Sequence, residues 1–351
     1  MAARNGILAA GNMLVDHVQR ISHWPEQGWL AEISHSEKCS GGAALNVLFT
    51  LARMQVGLPL AAVGMLGEDS DGDYLLQLLD EHHVDRQHVQ RTGAAATAMT
   101  QVMTAPDGQR TFFHARGANA QLDVAHFAHL ATAHRIFHLG YLLLLDKLDQ
   151  PDAQYGTRSA RLLAEMQQRG YLTSLDLVSR AGEYQALVKP ALRWLDYLVI
   201  NELEAQALTG IELRSSGTLA SPAAFAAAAR WLLAQGVRQR VVIHAPEGAW
   251  GQQPAGDGLW QPAWCLAAEE IVGSVGAGDA FCAGVLYASH QNYSLQQTLK
   301  LAHTCASFNL HAANALDGIR PLSEMQCWMN QAICVSRVAA DGGRITSAEK
   351  T

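Results

Sequence analysis

The chain is short of cysteine, of positive charge and of long apolar runs. Its six cysteines, Cys39, Cys265, Cys282, Cys305, Cys327 and Cys334, include no C-x-x-C pair and no regular spacing. That argues against a disulfide framework or a cysteine zinc motif, and predicts reduced, mostly buried thiols suited to a cytoplasmic protein. The 25 Lys and Arg are outnumbered by 32 Asp and Glu, giving a formal net charge of −7 and a pI near 6.1. A nucleic-acid or membrane-surface partner would want a basic face, so neither is expected, and any phosphate recognition has to be local. No stretch approaches the roughly 18 apolar residues of a membrane span. The early run from Ile7 to Val15 is broken by Gly11 and Asn12 and continues into Asp16 instead of a cleavage site, so it reads as a first buried strand. Two nucleotide motifs are also missing. There is no G-x-x-x-x-G-K-[ST] and no G-x-G-x-x-G after the first strand, which argues against P-loop and dinucleotide folds.

Apolar material is plentiful: 49% of the 351 residues are hydrophobic, enough for one large α/β domain with a minor appendage. Strand-like runs at 6–10, 60–64, 135–140, 172–176, 197–200 and 240–244 alternate with helix-length amphipathic segments at 43–56, 72–82, 156–169, 221–235 and 295–312. This alternation predicts a mostly parallel central sheet flanked by helices on both faces. Ligands in such sheets sit at the carboxyl ends of the strands. Polar and aromatic segments at 18–39 and 97–116 interrupt the pattern, the second around Pro106-Asp107-Gly108, a hairpin turn. Together they are expected to form a small β-sheet lid. The folded domain is expected over 1–335, with 336–351 a flexible tail.

Gly276-Ala277-Gly278-Asp279 carries the most chemistry. The glycines let backbone approach a ligand, and the helix that follows would aim its unpaired N–H groups at an anion. An aspartate placed there would meet a bound phosphate as a second negative group. Abstraction of a proton from a hydroxyl attacking that phosphate explains the arrangement, although a loop with a helix-capping Asp279 would look the same in isolation. Near the first strand, Asp16 and Asn46 offer an acceptor and a mixed amide for neighbouring hydroxyls, and Gly41-Gly42 opens the helix that carries Asn46. Asn201 and Glu204 follow another strand and are placed to hold magnesium-bound water beside a triphosphate, or else simply to cap a helix. Other features read as ordinary structure. Asp69-x-Asp71-x-Asp73 has Tyr74 where a calcium loop needs glycine, and His126, His129, His134 and His138 straddle a helix and a strand without sharing a face.

These motifs in this order resemble the ribokinase-like (PfkB) carbohydrate kinase family over about residues 5–330. The resemblance rests on Asp16, Gly41-Gly42, Asn46, Gly67-x-Asp69-x-x-Gly72, Asp176, Asn201-x-x-Glu204, Gly248 and above all Gly276 to Asp279. It implies an α/β fold with a β lid, ATP and Mg2+, and transfer of the γ-phosphoryl group to an alcohol of a sugar. It also implies Asp279 as catalytic base and Gly276, Ala277 and Gly278 as anion hole. Asp16, Gly41, Gly42, Asn46 and, at the return from the lid, Asn119 would bind substrate. Asn201, Glu204, Gly248 and Asn309 would serve the nucleotide and magnesium, and a homodimer through the lid would resemble many relatives.

Three departures stand out. Gly273 replaces an aspartate that in many members helps hold potassium, which leaves monovalent-cation activation in doubt. The late strand reads His244-Ala245-Pro246-Glu247-Gly248, so nucleotide contacts are expected to differ there. After Asp176, Val178 replaces an asparagine while Arg180 is kept. None of these touches Asp279. A nucleoside or other non-sugar kinase on the same fold, or a non-catalytic binding protein, remain as alternatives.

Overall fold

Strands buried on both faces need apolar residues at every position, and the central strands have them: all five residues of β1 (Ile7–Gly11) and all eight of β4 (Leu60–Gly67) are buried. The computed structural model describes residues 4–130, 132–179 and 184–331. The expectations for the 336–351 tail and for Arg180 therefore fall outside the described residues. Among the described residues the main sheet has nine strands. Their spatial order is β17 (Leu259–Pro262), β16 (Gly248–Gln252), β15 (Arg240–Ala245), β12 (Tyr197–Asn201), β11 (Leu172–Leu177), β8 (Ile136–Leu142), β1, β4 and β5 (Asp85–Thr92). From β15 to β5 every pairing is parallel, while β16 and β17 add an antiparallel hairpin at one edge. Two-residue ladders, β9 (Pro151–Asp152) with β10 (Gly156–Thr157) and β13 (Arg214–Ser215) with β14 (Thr218–Leu219), lie in the connections.

Helices cover both faces, as the alternation predicts. On one side pack α3 (Arg158–Gln168), α4 (Tyr184–Leu192), α5 (Glu202–Thr209) and α6 (Pro222–Ala234), around a core that includes Phe127, Phe137 and Phe225. On the other pack α1 (Ala43–Arg53), α2 (Ser70–Glu81), α7 (Ala277–His290), α8 (Leu295–Leu310) and α9 (Leu322–Met329), with Phe49 and Phe281 inside. Helix α7 is buried from Asp279 to His290, which explains why its residues are small or apolar on every side. Among the described residues no helix is long and apolar enough to cross a membrane.

A separate four-stranded sheet forms the lid, in the order β3 (Ile33–Gly41), β2 (Leu14–Ile21), β6 (Ala98–Thr104), β7 (Arg110–Ala115). The expected hairpin joins β6 to β7, closed by Ala105 N–H to the Gln109 carbonyl and Gly108 N–H to the Ala105 carbonyl. The lid's first strand starts earlier than expected, because Leu14, Val15 and Asp16 pair with both β3 and β6 and the two apolar side chains are buried. Asp16 therefore sits in a lid strand. The three acids at 69, 71 and 73 diverge: Asp69 caps α2, Asp71 meets His17 and Lys38, and Asp73 meets Arg91.

Candidate active site

Four parallel strands, β8, β11, β12 and β15, deliver Tyr141, Asp176, Asn201 and His244 from their carboxyl ends to one cavity of about 140 Å³. The start of α7 closes it with Gly278, Asp279 and Cys282, and Glu204 enters from α5. Gly276 takes the N-cap position with φ of 77°, a left-handed conformation, and no side chain caps the helix. The Ala277 N–H reaches the Ser274 carbonyl at a long 3.4 Å, and the next N–H groups of the first turn are placed to meet an anion. A Cβ on Gly278 would meet only His244 Cε1 at 3.6 Å, so the backbone there is open to a ligand.

Asp279 is 4% exposed. Its Oδ2 accepts hydrogen bonds from Asn46 Nδ2 at 2.7 Å and from the Tyr141 hydroxyl at 3.1 Å. Burial first, and then the nearby Asp176 and Asp16 carboxylates, push its pKa up to about 7 against those two donors. A carboxyl poised near neutrality suits proton abstraction. Asn46 reaches the site because Gly42 starts α1 with φ of 90°, and its Oδ1 is buried without a hydrogen-bond partner among the described residues. Asp16 is pushed up to about 6, mainly by burial, and packs where a Cβ on Gly41 would stand 2.4 Å from its Oδ2.

Asn201 and Glu204 form a reciprocal capping box on α5, Asn201 Oδ1 accepting from Glu204 N–H at 2.9 Å and Glu204 Oε2 from Asn201 N–H at 3.0 Å. Ser179 donates to Glu204 Oε1 and accepts from Asn201 Nδ2. Burial, opposed by those hydrogen bonds, raises Glu204 to about 7. Glu204 and Asp176 give this end of the cavity hard oxygen atoms of the kind a divalent cation takes. Asn119, Gly248 and Asn309 are not among the residues lining this cavity. Asn119 is buried with its amide tied to Asn12 and Met13, holding the β1–β2 link. Gly248 lies in β16, where a Cβ would stand 2.5 Å from Trp260. Asn309 in α8 donates to the Ala315 carbonyl at 2.6 Å, beneath Gly276.

Sequence motifs gave no sign of Tyr141; its position directly after a strand-ending glycine was the available clue. His244 has burial against Phe281 as the reason its pKa is held down to about 4, so it offers a neutral ring. Among the described residues, His138, Asp176 and Cys282 bring potential ligand atoms within 4.8 Å of one another, all buried. His138 there bonds Ser174 and faces Asp176 at 3.7 Å, while burial keeps the Cys282 thiol protonated, so the group serves as polar backing for Asp176.

A parallel sheet ending at a glycine-led helix, with a buried carboxylate in its first turn and a β lid alongside, defines the ribokinase class of fold. Arabidopsis thaliana ribokinase, solved with ribose and ATP, superposes with a TM-score of 0.74 at 21% identity, covering 93% of this chain and 99% of the other. The family model for pfkB family carbohydrate kinases matches residues 6–320, and the chain belongs to that family. A rice (Oryza sativa subsp. japonica) fructokinase-1 is 30% identical over 224 residues, 60% of this chain but 65% of its own length, just under two thirds. An ATP-dependent ribose-1-phosphate kinase from Halopiger xanaduensis is 25% identical over 301 residues, covering 86% of this chain and 90% of that protein.

Proposed function

We propose that this chain is a cytoplasmic, ATP- and magnesium-dependent sugar kinase that transfers the γ-phosphoryl group to a sugar hydroxyl. The observation that carries the reading is Asp279: a buried carboxyl near neutrality, in the first turn of a helix without a side-chain cap, sharing its Oδ2 with Asn46 of the neighbouring helix. Asp16, Gly41, Gly42 and Asn46 would orient the acceptor hydroxyl. Asp279 removes its proton as the oxygen bonds to the γ-phosphorus and the bridging bond to ADP breaks, in line. The N–H groups from Ala277 to Asp279, with Gly276 shaping the turn, receive the phosphoryl oxygens. Asn201, Glu204 and Asp176 fit a magnesium ion held through water, which would neutralise phosphate charge. Asn309 braces the anion loop from below, Gly248 shapes the adjoining hairpin, and Asn119 supports the substrate side through Asn12 and Met13. Of the five described cysteines only Cys282 and Cys305 are buried, Cys39 being partly so and Cys265 and Cys327 exposed, so the thiols are not mostly buried as expected; all five are free, which supports the cytoplasmic placement.

The first test is ADP release from MgATP across ketohexoses, pentoses, their phosphates, sugar acids, amino sugars and nucleosides. Ketohexoses and pentoses head the panel because fructokinases and ribokinases are among the similar proteins. A turnover signal with one sugar group is expected. Activity confined to nucleosides would replace this reading with the non-sugar one, for which the structure offers less, since the lid's aromatics are exposed and Trp24 lies parallel to Phe113 at 6.2 Å.

The lid also supports a homodimer. Trp29 is 76% and Leu30 81% exposed, joined by Trp24, Ile33, Phe112 and Phe113, a concentration of apolar surface that asks for cover. Sedimentation should give a dimer at micromolar concentration and a monomer for Trp29→Glu. A wild-type monomer at tens of micromolar would rule the interface out.

A further inference from the structure

Tyr141 stands at the end of β8 with φ of 55°, a left-handed conformation for a residue with a side chain. L-residues stay there only when their surroundings hold them. Its N–H donates to Asp176 Oδ1 at 3.0 Å, and its carbonyl accepts from Asn12 Nδ2 at 3.4 Å. So held, its hydroxyl donates to Asp279 Oδ2. The Asn46 hydrogen bond falls on the same oxygen, which leaves Oδ1 for the acceptor hydroxyl.

We propose that Tyr141 is a positioning residue for the phosphoryl-transfer base, keeping Asp279 ionised and aimed through its phenolic hydrogen bond. This rests on the reading of Asp279 as the base. The surroundings explain why such a donor is needed. Asp176 from β11 and Asp16 from β2 face Asp279 with negative charge, and Glu204 from α5 adds a further carboxyl to the cavity. The Cys282 thiol on α7 itself and the His244 ring on β15 face it without charge. No lysine or arginine is among the described residues lining the cavity. Two neutral donors, Asn46 and Tyr141, are therefore what oppose burial and like charge. Tyr141 suits the role because burial and the neighbouring carboxylates hold its phenol far above the ordinary range, so it always donates.

The test is the pH profile of kcat/KM for the acceptor in wild type, Tyr141→Phe and Asp279→Asn. A base works deprotonated, so wild-type activity should fall as pH drops through about 7. Losing one donor to a carboxylate destabilises its charged form and raises its pKa by about one unit. Tyr141→Phe should therefore lose roughly fivefold to tenfold at pH 7 and recover most of it by about pH 9. A merely structural role would lower activity equally at every pH, and an unmoved acid limb in a folded Tyr141→Phe would overturn the proposal alone. If Tyr141→Phe does not fold, fluorotyrosine at position 141 keeps the shape with a stronger donor. It should move the limb down, and an unmoved limb there overturns the proposal equally. A wild-type profile with no acid limb, or an active Asp279→Asn, would instead remove the base assignment and this inference with it.

Discussion

Asp279→Asn should reduce turnover by about a thousandfold or more, while MgATP binds with nearly unchanged affinity. Asparagine keeps the size of the side chain and one oxygen for the Asn46 donor, so the start of α7 stays where it is. It cannot take up the hydroxyl proton. General-base catalysis is typically worth 10²–10⁴-fold, and the upper part of that range applies because no other carboxylate shares the first turn of α7. Nucleotide affinity is spared for an electrostatic reason: removing a negative charge beside the anion loop cannot weaken phosphate binding there. Steady-state ADP release with calorimetric titration of MgATP separates the two effects. Near-normal turnover would end the assignment of Asp279 as base.

A single methyl group at position 42 should be almost as damaging, by a different route. Gly42 has φ of 90°, and a Cβ there would stand 2.4 Å from the Asn12 carbonyl oxygen and 2.9 Å from its carbon. Both are backbone atoms, and Asn12 is held by Asn119 and by the Gly140 carbonyl. The clash cannot be relieved by a side chain turning away. Gly42→Ala should cost about 2–4 kcal/mol of stability, and the displaced start of α1 carries Asn46 with it. A shift approaching 1 Å at that distance costs about 100-fold in kcat/KM. Gly57 is the control: its φ is 67°, but a Cβ there would meet nothing within 4 Å, so Gly57→Ala should cost only about 1 kcal/mol. Thermal unfolding and acceptor kinetics read both outcomes, and a Gly42→Ala protein as stable and active as wild type would show that the loop is not under this constraint.

The architecture was legible where the apolar pattern was unambiguous. β1, β4, β8, β12 and β15 were readable as apolar runs because buried parallel strands have no solvent-facing side, and β11 was readable although it buries Thr173, Ser174 and Asp176. β5 was not, since Asp85–Thr92 is an edge strand, mostly exposed and polar at most positions. The β16–β17 hairpin hid behind glycines and tryptophans, with Gly248 reading as a nucleotide signal while its packing against Trp260 already requires a glycine. Around the cavity, Asp279, Asn46, Asn201 and Glu204 carry side-chain chemistry that a linear motif can show, and Gly278 an open backbone. Tyr141 carries its significance in a backbone angle and a contact across 138 positions, and neither leaves a local trace. Asn119 shows the opposite case: a polar residue returning from the lid looks substrate-facing, while its amide is buried and bonded to Asn12 and Met13.

The contact between Asn46 and Asp279 joins residues 233 positions apart. At ordinary rates of synthesis, about 5–20 residues per second, the ribosome adds the second partner roughly 10–50 s after the first. Until then the strands from β1 through β15 can pair, but α1 lacks the α7 surface against which it packs. One side of α1 already packs on β1, β4 and β8, and the side that meets α7 waits for about the last fifth of the chain. A nascent or truncated chain ending before α7 therefore combines a nearly complete sheet with an exposed helix face, a species for chaperones to hold. Covering that helix face and completing the Asp279 site are the same event, because α7 supplies both.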